Sequence, residues 1–423
     1  MREMKGSGIS WVGEIPKEWT IMPLYCFYSE RKNKNIFGAE NNLLSLSYGN
    51  VIRKDINTSE GLLPSNYNGY NIVEAGDIII RPTDLQNDKR SLRTGLSKER
   101  GIITSAYIAL KPKNGINSRF YHYLLHTYDI LKVFYNMGNG VRQGLNYDEF
   151  AKLMVYSPSD TEQQRIAEFL DKECGKIDGL KADIQAQIDT LEQYKRSVIT
   201  EAVTHGLNPS APMKDSKVWF GQIPSEWKEL KGKYVFKQRN DRGNNICLRL
   251  LSPTQKYGVI PQDKYEELTG MNAVKLNDST NYALLKTIHK SDYCISLRSF
   301  QGGFEYSEYE GVVSPAYQVF YPIITIAGGY YKYLFKEKGF IDVINSYTMS
   351  LRDGKNIAFD DFGDTFIPVP PLEEQQEIAD YLDNKCAEIE QIIADKKSQI
   401  ETLDNYKKSL IFEYVTGKKE IAL

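Results

Sequence analysis

At 423 residues and a net charge of −2, the chain is too long for one ordinary core and lacks the basic balance typical of a nucleic-acid binder. No run approaches the roughly 20 apolar residues of a membrane span, and the opening Met1-Arg2-Glu3-Met4-Lys5-Gly6 has no signal-peptide stretch, so a cytoplasmic location is expected. Cys26, Cys174, Cys247, Cys294 and Cys386 form no CxxC pair and are expected to be reduced thiols.

In chain order, the first segment, residues 1–157, predicts a mixed, largely β domain. It is rich in Tyr, Gly and Asn, carries the β-branched run Asp77-Ile-Ile-Ile-Arg81, and predicts one helix near Phe120–Tyr135. Residues 158–208 predict a long helix: there is no Pro between 160 and 205, Ile177, Ile184, Leu191 and Val198 recur every seven residues, and Leu180 and Tyr194 follow three later. Residues 209–368 return to the composition of the first segment. Residues 369–423 predict a second long helix, with Ile389, Leu403 and Leu410 in its stripe, Ile392 and Tyr406 alongside, and Lys396 as an interruption. Net charge alternates along the four parts: +4 for 1–150, −3 for 151–215, +2 for 216–368 and −5 for 369–423.

The second half repeats the first. Trp11-Val-Gly-Glu-Ile-Pro-Lys-Glu-Trp19 returns as Trp219-Phe-Gly-Gln-Ile-Pro-Ser-Glu-Trp227, and these hold all four tryptophans. Gly101-Ile-Ile-Thr-Ser-Ala-Tyr107 returns as Gly311-Val-Val-Ser-Pro-Ala-Tyr317. Glu162-Gln-Gln-Arg-Ile-Ala-Glu-Phe-Leu-Asp171 returns as Glu374-Gln-Gln-Glu-Ile-Ala-Asp-Tyr-Leu-Asp383, and Tyr194-Lys-Arg-Ser as Tyr406-Lys-Lys-Ser. A helix of about 45 residues spans roughly 65 Å, more than a small domain covers, so the two helices are expected to pack on each other. Because the chain leaves the first domain along one helix and returns from the second along the other, the pair is expected to be antiparallel. The fold class predicted is α+β: two similar β-rich domains separated by an antiparallel coiled-coil pair, a dumbbell with pseudo-two-fold symmetry from internal duplication.

Two related but non-identical heads on a stiff rod suit an asymmetric, interrupted target, which DNA offers as paired half-sites at fixed separation. The doubled Gly-x-Ile-Pro-x-x-Trp motif (Gly13 to Trp19, Gly221 to Trp227), the doubled Glu-Gln-Gln-x-Ile-Ala-x-x-Leu-Asp helix start and the doubled Tyr-Lys-x-Ser end resemble, over the whole chain, the specificity subunit of Type I restriction-modification systems. The resemblance implies target-recognition domains at 1–157 and 209–368, and conserved helical spacers at 158–208 and 369–423. It implies double-stranded DNA, two modification (methyltransferase) subunits and two restriction (motor-nuclease) subunits as partners. It implies no cofactor in this chain, with S-adenosylmethionine, ATP and Mg in the partner subunits. Ser159 departs from the apolar residue expected near the first helix start, where the second copy has Leu372.

Base-reading residues are expected where the copies diverge. Arg and Lys pair with guanine, Gln and Asn with adenine, and further basic residues meet phosphate. The candidates are Arg81, Gln86, Asn87, Lys89, Arg90 and Arg93 in the first copy, with Arg298, Ser299 and Gln301 in the second. A second candidate loop, rich in Gly, gives Arg142 and Arg352 for phosphate and Gln143 for base choice. A solvated surface loop is the competing reading for the first set, and a plain Gly turn for the second.

No GxxxxGK[ST] phosphate loop or dinucleotide fingerprint occurs. Val369-Pro370-Pro371-Leu372 is not the Asn/Asp-Pro-Pro-aromatic tetrapeptide of an adenine methyltransferase, and His122 and His126, at i, i+4 spacing, lack the accompanying ligands of a metal site. The chain is therefore expected to be non-catalytic. The alternatives are a fused restriction enzyme with an unrecognised catalytic site and a coiled-coil scaffold without a DNA role.

Overall fold

The structure is a computed structural model that describes every residue except 1, 58–65, 84, 86–91, 134, 136, 138–143, 218–220, 244–248, 272–281, 296–302, 349–356 and 422–423. The chain divides into two compact units, Met1–Ile184 with Lys397–Leu423, and Gln185–Lys396. Each unit holds one mixed domain and a half of each long helix. Among the described residues no helix is long and apolar enough to cross a membrane.

In the first unit the Ile78–Ile80 run is fully buried inside a four-stranded antiparallel sheet ordered Tyr28–Glu30, Ile108–Pro112, Ile78–Ile80, Thr94–Leu96. Successive side chains point to opposite faces. Ile78 and Ile80 join the main core with Phe120, Leu124 and Tyr128 of the helix Ser118–Ile130, while Ile79 joins a smaller cluster with Leu44, Val73 and Ile103. Burial on both faces is why the strand reads as a continuous apolar run.

The second unit repeats this sheet as Phe236–Arg239, Gln318–Pro322, Tyr293–Ile295, Phe304–Tyr306. Tyr293 and Ile295 again face the main core and Cys294 the smaller cluster. The repeated glycine of the Gly101 and Gly311 motifs answers a steric demand. A Cβ at Gly101 would lie 2.5 Å from the Asn42 carbonyl oxygen, and one at Gly311 2.2 Å from that of Arg249.

The helix expected near Phe120–Tyr135 runs instead over Ser118–Ile130. The Asn117 side chain caps its start, accepting from the Arg119 and Phe120 N–H groups. Its end is closed at Lys132, which adopts φ 58°, while the Val133 N–H donates to the Tyr128 carbonyl at 2.9 Å. This leaves Tyr135 beyond the helix.

The long helices span Asp160–His205 and Leu372–Val415. Ser159 precedes the first helix as its cap: the Gln163 N–H donates to the Ser159 carbonyl and the Glu162 N–H to its hydroxyl. Gln163 Nε2 donates to the Pro158 carbonyl and Gln375 Nε2 to that of Pro370. Ser159 thus corresponds to Pro371 rather than to Leu372, which corrects the expected departure.

The seam also differs from the expected stripe. Buried or half-buried positions step by four and three through Leu170, Cys174, Ile177, Lys181, Ile184, Ile188, Leu191, Lys195 and Val198, and through Ile389, Ile393, Lys396, Ile400, Leu403, Lys407 and Leu410. The companions Leu180, Tyr194, Ile392 and Tyr406 lie off it, 53, 48, 38 and 57% exposed. Lysines occupy the missing seam positions because their stems pack as apolar groups while their ammonium ends pair across the helices. In the first unit Lys407 meets Asp178 at 2.7 Å and Lys181 pairs with Asp404; in the second Lys396 donates to Gln187 at 2.6 Å and Lys195 pairs with Glu390. In each unit the pairing runs antiparallel.

Each tryptophan motif closes on both helices of its unit. Trp19 Nε1 donates to Glu162 Oε2 at 2.9 Å, and Trp227 Nε1 to Glu374 Oε2 at 2.8 Å. The same indoles pack on the glycine that ends the other helix. A Cβ at Gly417 would lie 3.0 Å from the Trp19 ring, and one at Gly206 3.2 Å from that of Trp227; both glycines have positive φ.

Candidate nucleic-acid interface

The hairpin formed by Ile78–Ile80 and Thr94–Leu96 carries the segment 81–93 of the first unit, and the Arg81 N–H extends the ladder by donating to the Arg93 carbonyl at 2.9 Å. Of the expected reading residues in this unit, Arg81 and Arg93 are described. Gln86, Asn87, Lys89, Arg90, Arg142 and Gln143 lie outside the described residues.

Arg93 is fully buried. Its Nε donates to the Tyr135 hydroxyl at 3.0 Å, its Nη1 to the Thr83 carbonyl, and its guanidinium lies 5.2 Å from the Tyr135 ring centroid. The Arg93 backbone N–H donates to the Asp129 carboxylate, which also accepts from the Tyr135 hydroxyl at 3.0 Å. Lys132 Nζ donates to the same hydroxyl at 2.8 Å. Burial pushes the Asp129 carboxyl above its usual range against the opposing effect of these donors. Arg93 is therefore a residue that positions the hairpin from inside, not one turned outward to read DNA as expected. Arg81 sits half-buried at the base of the same hairpin.

A further bond ties in the second candidate loop: the Leu145 N–H donates to the Pro82 carbonyl at 3.0 Å. The two segments singled out in the first copy, 81–93 and 138–146, are thus brought together at their bases. Asp129, Lys132 and Tyr135, which make the junction, were missed in the sequence. Their only signal there was the end of the helical pattern.

Beside this junction, His126 Nδ1 lies 3.4 Å from the Thr94 hydroxyl and its ring centroid 5.9 Å from that of His122. Burial, then neighbouring positive charge, pushes His122 down to about 3 and His126 to about 4, so both imidazoles are neutral at pH 7.

In the second unit the hairpin of Tyr293–Ile295 and Phe304–Tyr306 carries the corresponding segment. Arg298, Ser299 and Gln301, and Arg352 of the second loop, lie outside the described residues. What lies beneath differs from the first copy. Phe304 packs against Phe340 and Phe335 at centroid separations of 5.1 and 5.4 Å, and Phe340 reaches Phe362 at 6.3 Å. Glu305 occupies the position of Gly95, and Lys336 that of His126; their side chains pair at 2.5 Å. Burial pushes the Glu305 carboxyl up to about 7 against the opposing pull of Lys336.

Several arginines of both sheets are engaged by carboxylates of their own domain. Arg31 pairs with Asp77, and Arg239 with Asp292 at 2.7 Å, a repeated feature of the framework; Arg100 meets Glu74 at 2.7 Å. These hold strands together and are poor candidates for phosphate.

Two stretches of the chain, residues 31–190 and 223–402, match the family described as Type I restriction modification DNA specificity domain. The chain is similar to the protein assigned as the MjaX type I restriction enzyme specificity subunit of Methanocaldococcus jannaschii, at 23% identity over 430 residues, covering 96% of this chain and 95% of the relative. It is also similar to the MjaVIII type I restriction enzyme specificity subunit of that organism, at 27% identity over 138 residues, 32% of this chain and 31% of the relative. Among solved structures, it shares its fold with a chain from work on complex assembly and conformational transition of the type I R-M system. The TM-score is 0.65 at 12% identity, covering 96% of this chain and 99% of that one.

Proposed function

The chain belongs to the Type I restriction-modification DNA specificity family, carrying two copies of its domain, and we propose that each copy reads one half of a bipartite DNA target. It is the DNA-recognition component of such a system and not its catalyst. The observation that carries the two-headed reading is the doubled hairpin: identical sheet order in both units presents segments that differ in sequence and rest on different supports, a buried Arg93–Asp129–Tyr135 junction in one and packed phenylalanines in the other. A common frame whose paired strands are joined by unlike sequences suits two unlike half-sites. Recognition domains at 1–157 and 209–368 and helical spacers at 158–208 and 369–423 follow. Arg81, Gln86, Asn87, Lys89, Arg90, Arg142 and Gln143 are the candidates for the first half-site, and Arg298, Ser299, Gln301 and Arg352 for the second.

The assembled complex would include methyltransferase and motor-nuclease subunits, two of each. Paired docking is supported by apolar residues that recur off the helix seam, Leu180 with Ile392 and Tyr194 with Tyr406. Exposed apolar side chains repeated at equivalent places suit two copies of one partner. S-adenosylmethionine, ATP and Mg would act in those partners.

The test is a gel shift of the assembled complex at graded salt, on DNA bearing the methylated motif of the host. Affinity is expected to fall steeply with salt through released counterions and to exceed that for scrambled DNA by about 10³-fold or more. Equal affinity for both DNAs, or methyl transfer by this chain alone, would overturn the reading.

A further inference from the structure

The tryptophan clasp of the first unit contains a charged group that the second lacks. Arg2 lies two residues ahead of the strand Met4–Gly6 and forms a bidentate pair with Glu162, Nη1 to Oε1 at 2.6 Å and Nη2 to Oε2 at 2.9 Å. Its guanidinium also pairs with Glu18, reaches Glu420 at 3.9 Å, and lies 5.5 Å from the Trp19 ring centroid. The carboxylates of Glu162 and Glu18 and an aromatic face thus hold one guanidinium, with Glu420 at its margin, the planar geometry for which arginine is suited.

The strand Met213–Asp215 pairs with Gln222–Pro224 in the register by which Met4–Gly6 pairs with Glu14–Pro16. By that register Glu226 replaces Glu18, Trp227 replaces Trp19 and Ala211 stands where Arg2 would be, while Glu374 replaces Glu162 as the acceptor of the indole N–H. The receiving groups are retained and the cation is not. At this place the second unit has an open cleft of about 480 Å³, lined by Ala211, Glu226, Trp227, Glu373, Glu374 and Glu377 among others. Among the described residues no lysine or arginine pairs with any of these four glutamates. Burial, then Glu377 and Glu226, pushes the Glu374 carboxyl above its usual range, as expected for a carboxylate whose neighbours are acidic.

We propose that this cleft of the second unit binds the guanidinium of an arginine side chain presented on an extended segment of a partner protein. Carboxylates alone would not make a site. The first unit identifies the ligand, because the same residues in the same fold hold an arginine there, on an extended segment that enters ahead of a strand. The cleft takes the equivalent group in trans. Glu374 and Glu226 receive the fork, the Trp227 face lies against it, and Glu373 and Glu377 add charge at the rim.

The probe is the capped tripeptide Ac-Ala-Arg-Ala-amide, titrated calorimetrically into the full chain without DNA, beside its Gln counterpart and methylguanidinium. One saturable site per chain is expected for the arginine peptide. Ala211→Arg, which supplies the guanidinium in cis as Arg2 does, should weaken peptide binding by at least about tenfold. The double variant Glu226→Gln, Glu377→Gln changes exposed side chains and should weaken it comparably while circular dichroism stays unchanged. No saturation up to about 10 mM peptide, equal binding of the Gln peptide, or undiminished binding by both variants would overturn the proposal. Methylguanidinium binding as tightly as the peptide would overturn a peptide-borne ligand.

Discussion

Arg93 shows how a residue chosen for its chemistry can serve another purpose. Its guanidinium, fully buried, holds Thr83 and Tyr135 while its backbone N–H reaches Asp129. Arg93→Ala would keep the backbone bond to Asp129 but remove the guanidinium charge beside that carboxylate and the bonds to the Tyr135 hydroxyl and the Thr83 carbonyl, so a loss of about 3 kcal/mol in stability is expected, read as a lowered urea midpoint. A variant as stable as the parent would return Arg93 to the surface role. Arg93 lies in a divergent basic stretch, which marks it as a reader; its partners Asp129 and Tyr135 are 36 and 42 residues away in sequence, a distance over which no periodic pattern carries information. A second prediction concerns pH. His122 is held at about 3, below its ordinary value of 6.5, so its depressed pKa favours the fold above pH 6.5, where it is neutral in both states. As pH falls below 6.5 the unfolded chain takes a proton that the folded one refuses until about 3, and stability is lost across that window. His122→Leu should flatten the fall in urea midpoint between pH 6.5 and 4; an identical slope would contradict the burial argument.

At the scale of elements, the sequence made the two helices legible to within a few residues, because an unbroken run without Pro and a heptad of apolar side chains are local signals. It misplaced half of the seam. Lys181, Lys195 and Lys407 fill positions that an apolar count assigns to Leu180, Tyr194 and Tyr406, since a lysine stem packs although its residue type reads as polar. The correction has a measurable consequence. Leu410, buried on the seam, should cost about 2–5 kcal/mol when replaced by Ala. Tyr406→Ser, on the exposed side, should change stability by no more than about 0.5 kcal/mol yet reduce co-purification of the modification subunit. Equal destabilisation by both would restore the original stripe. The strands were legible where burial on both faces gave the Ile78–Ile80 run; the short strands, three or four residues each, were not placed individually because their pairing depends on distant partners such as Asn71–Val73 with Gly101–Ile103.

For the whole molecule, duplication was the feature most openly written in the sequence, and it organises everything else: two sheets of one order, two tryptophan clasps, two helix starts with the same Gln side chain closed onto a proline carbonyl. The candidate site was legible only as a location. The segments joining the paired strands stand out because they differ in sequence between copies, but which side chains of such a candidate segment would meet bases depends on the partner surface, which no internal pattern encodes. If the helices set the distance between half-sites, inserting four residues after Ile184 and four after Lys396 adds roughly 6 Å of helix and should lengthen the non-specific spacer by one or two base pairs, as read by motif mapping. An unchanged spacer in an active complex would remove that role from the helices. The most direct test of the two-headed account is methylome sequencing of a host whose only specificity chain has residues 1–157 exchanged for those of a relative with a different target. The account predicts that one half of the methylated motif changes while the other half is retained; a motif altered in both halves, or in neither, would contradict it.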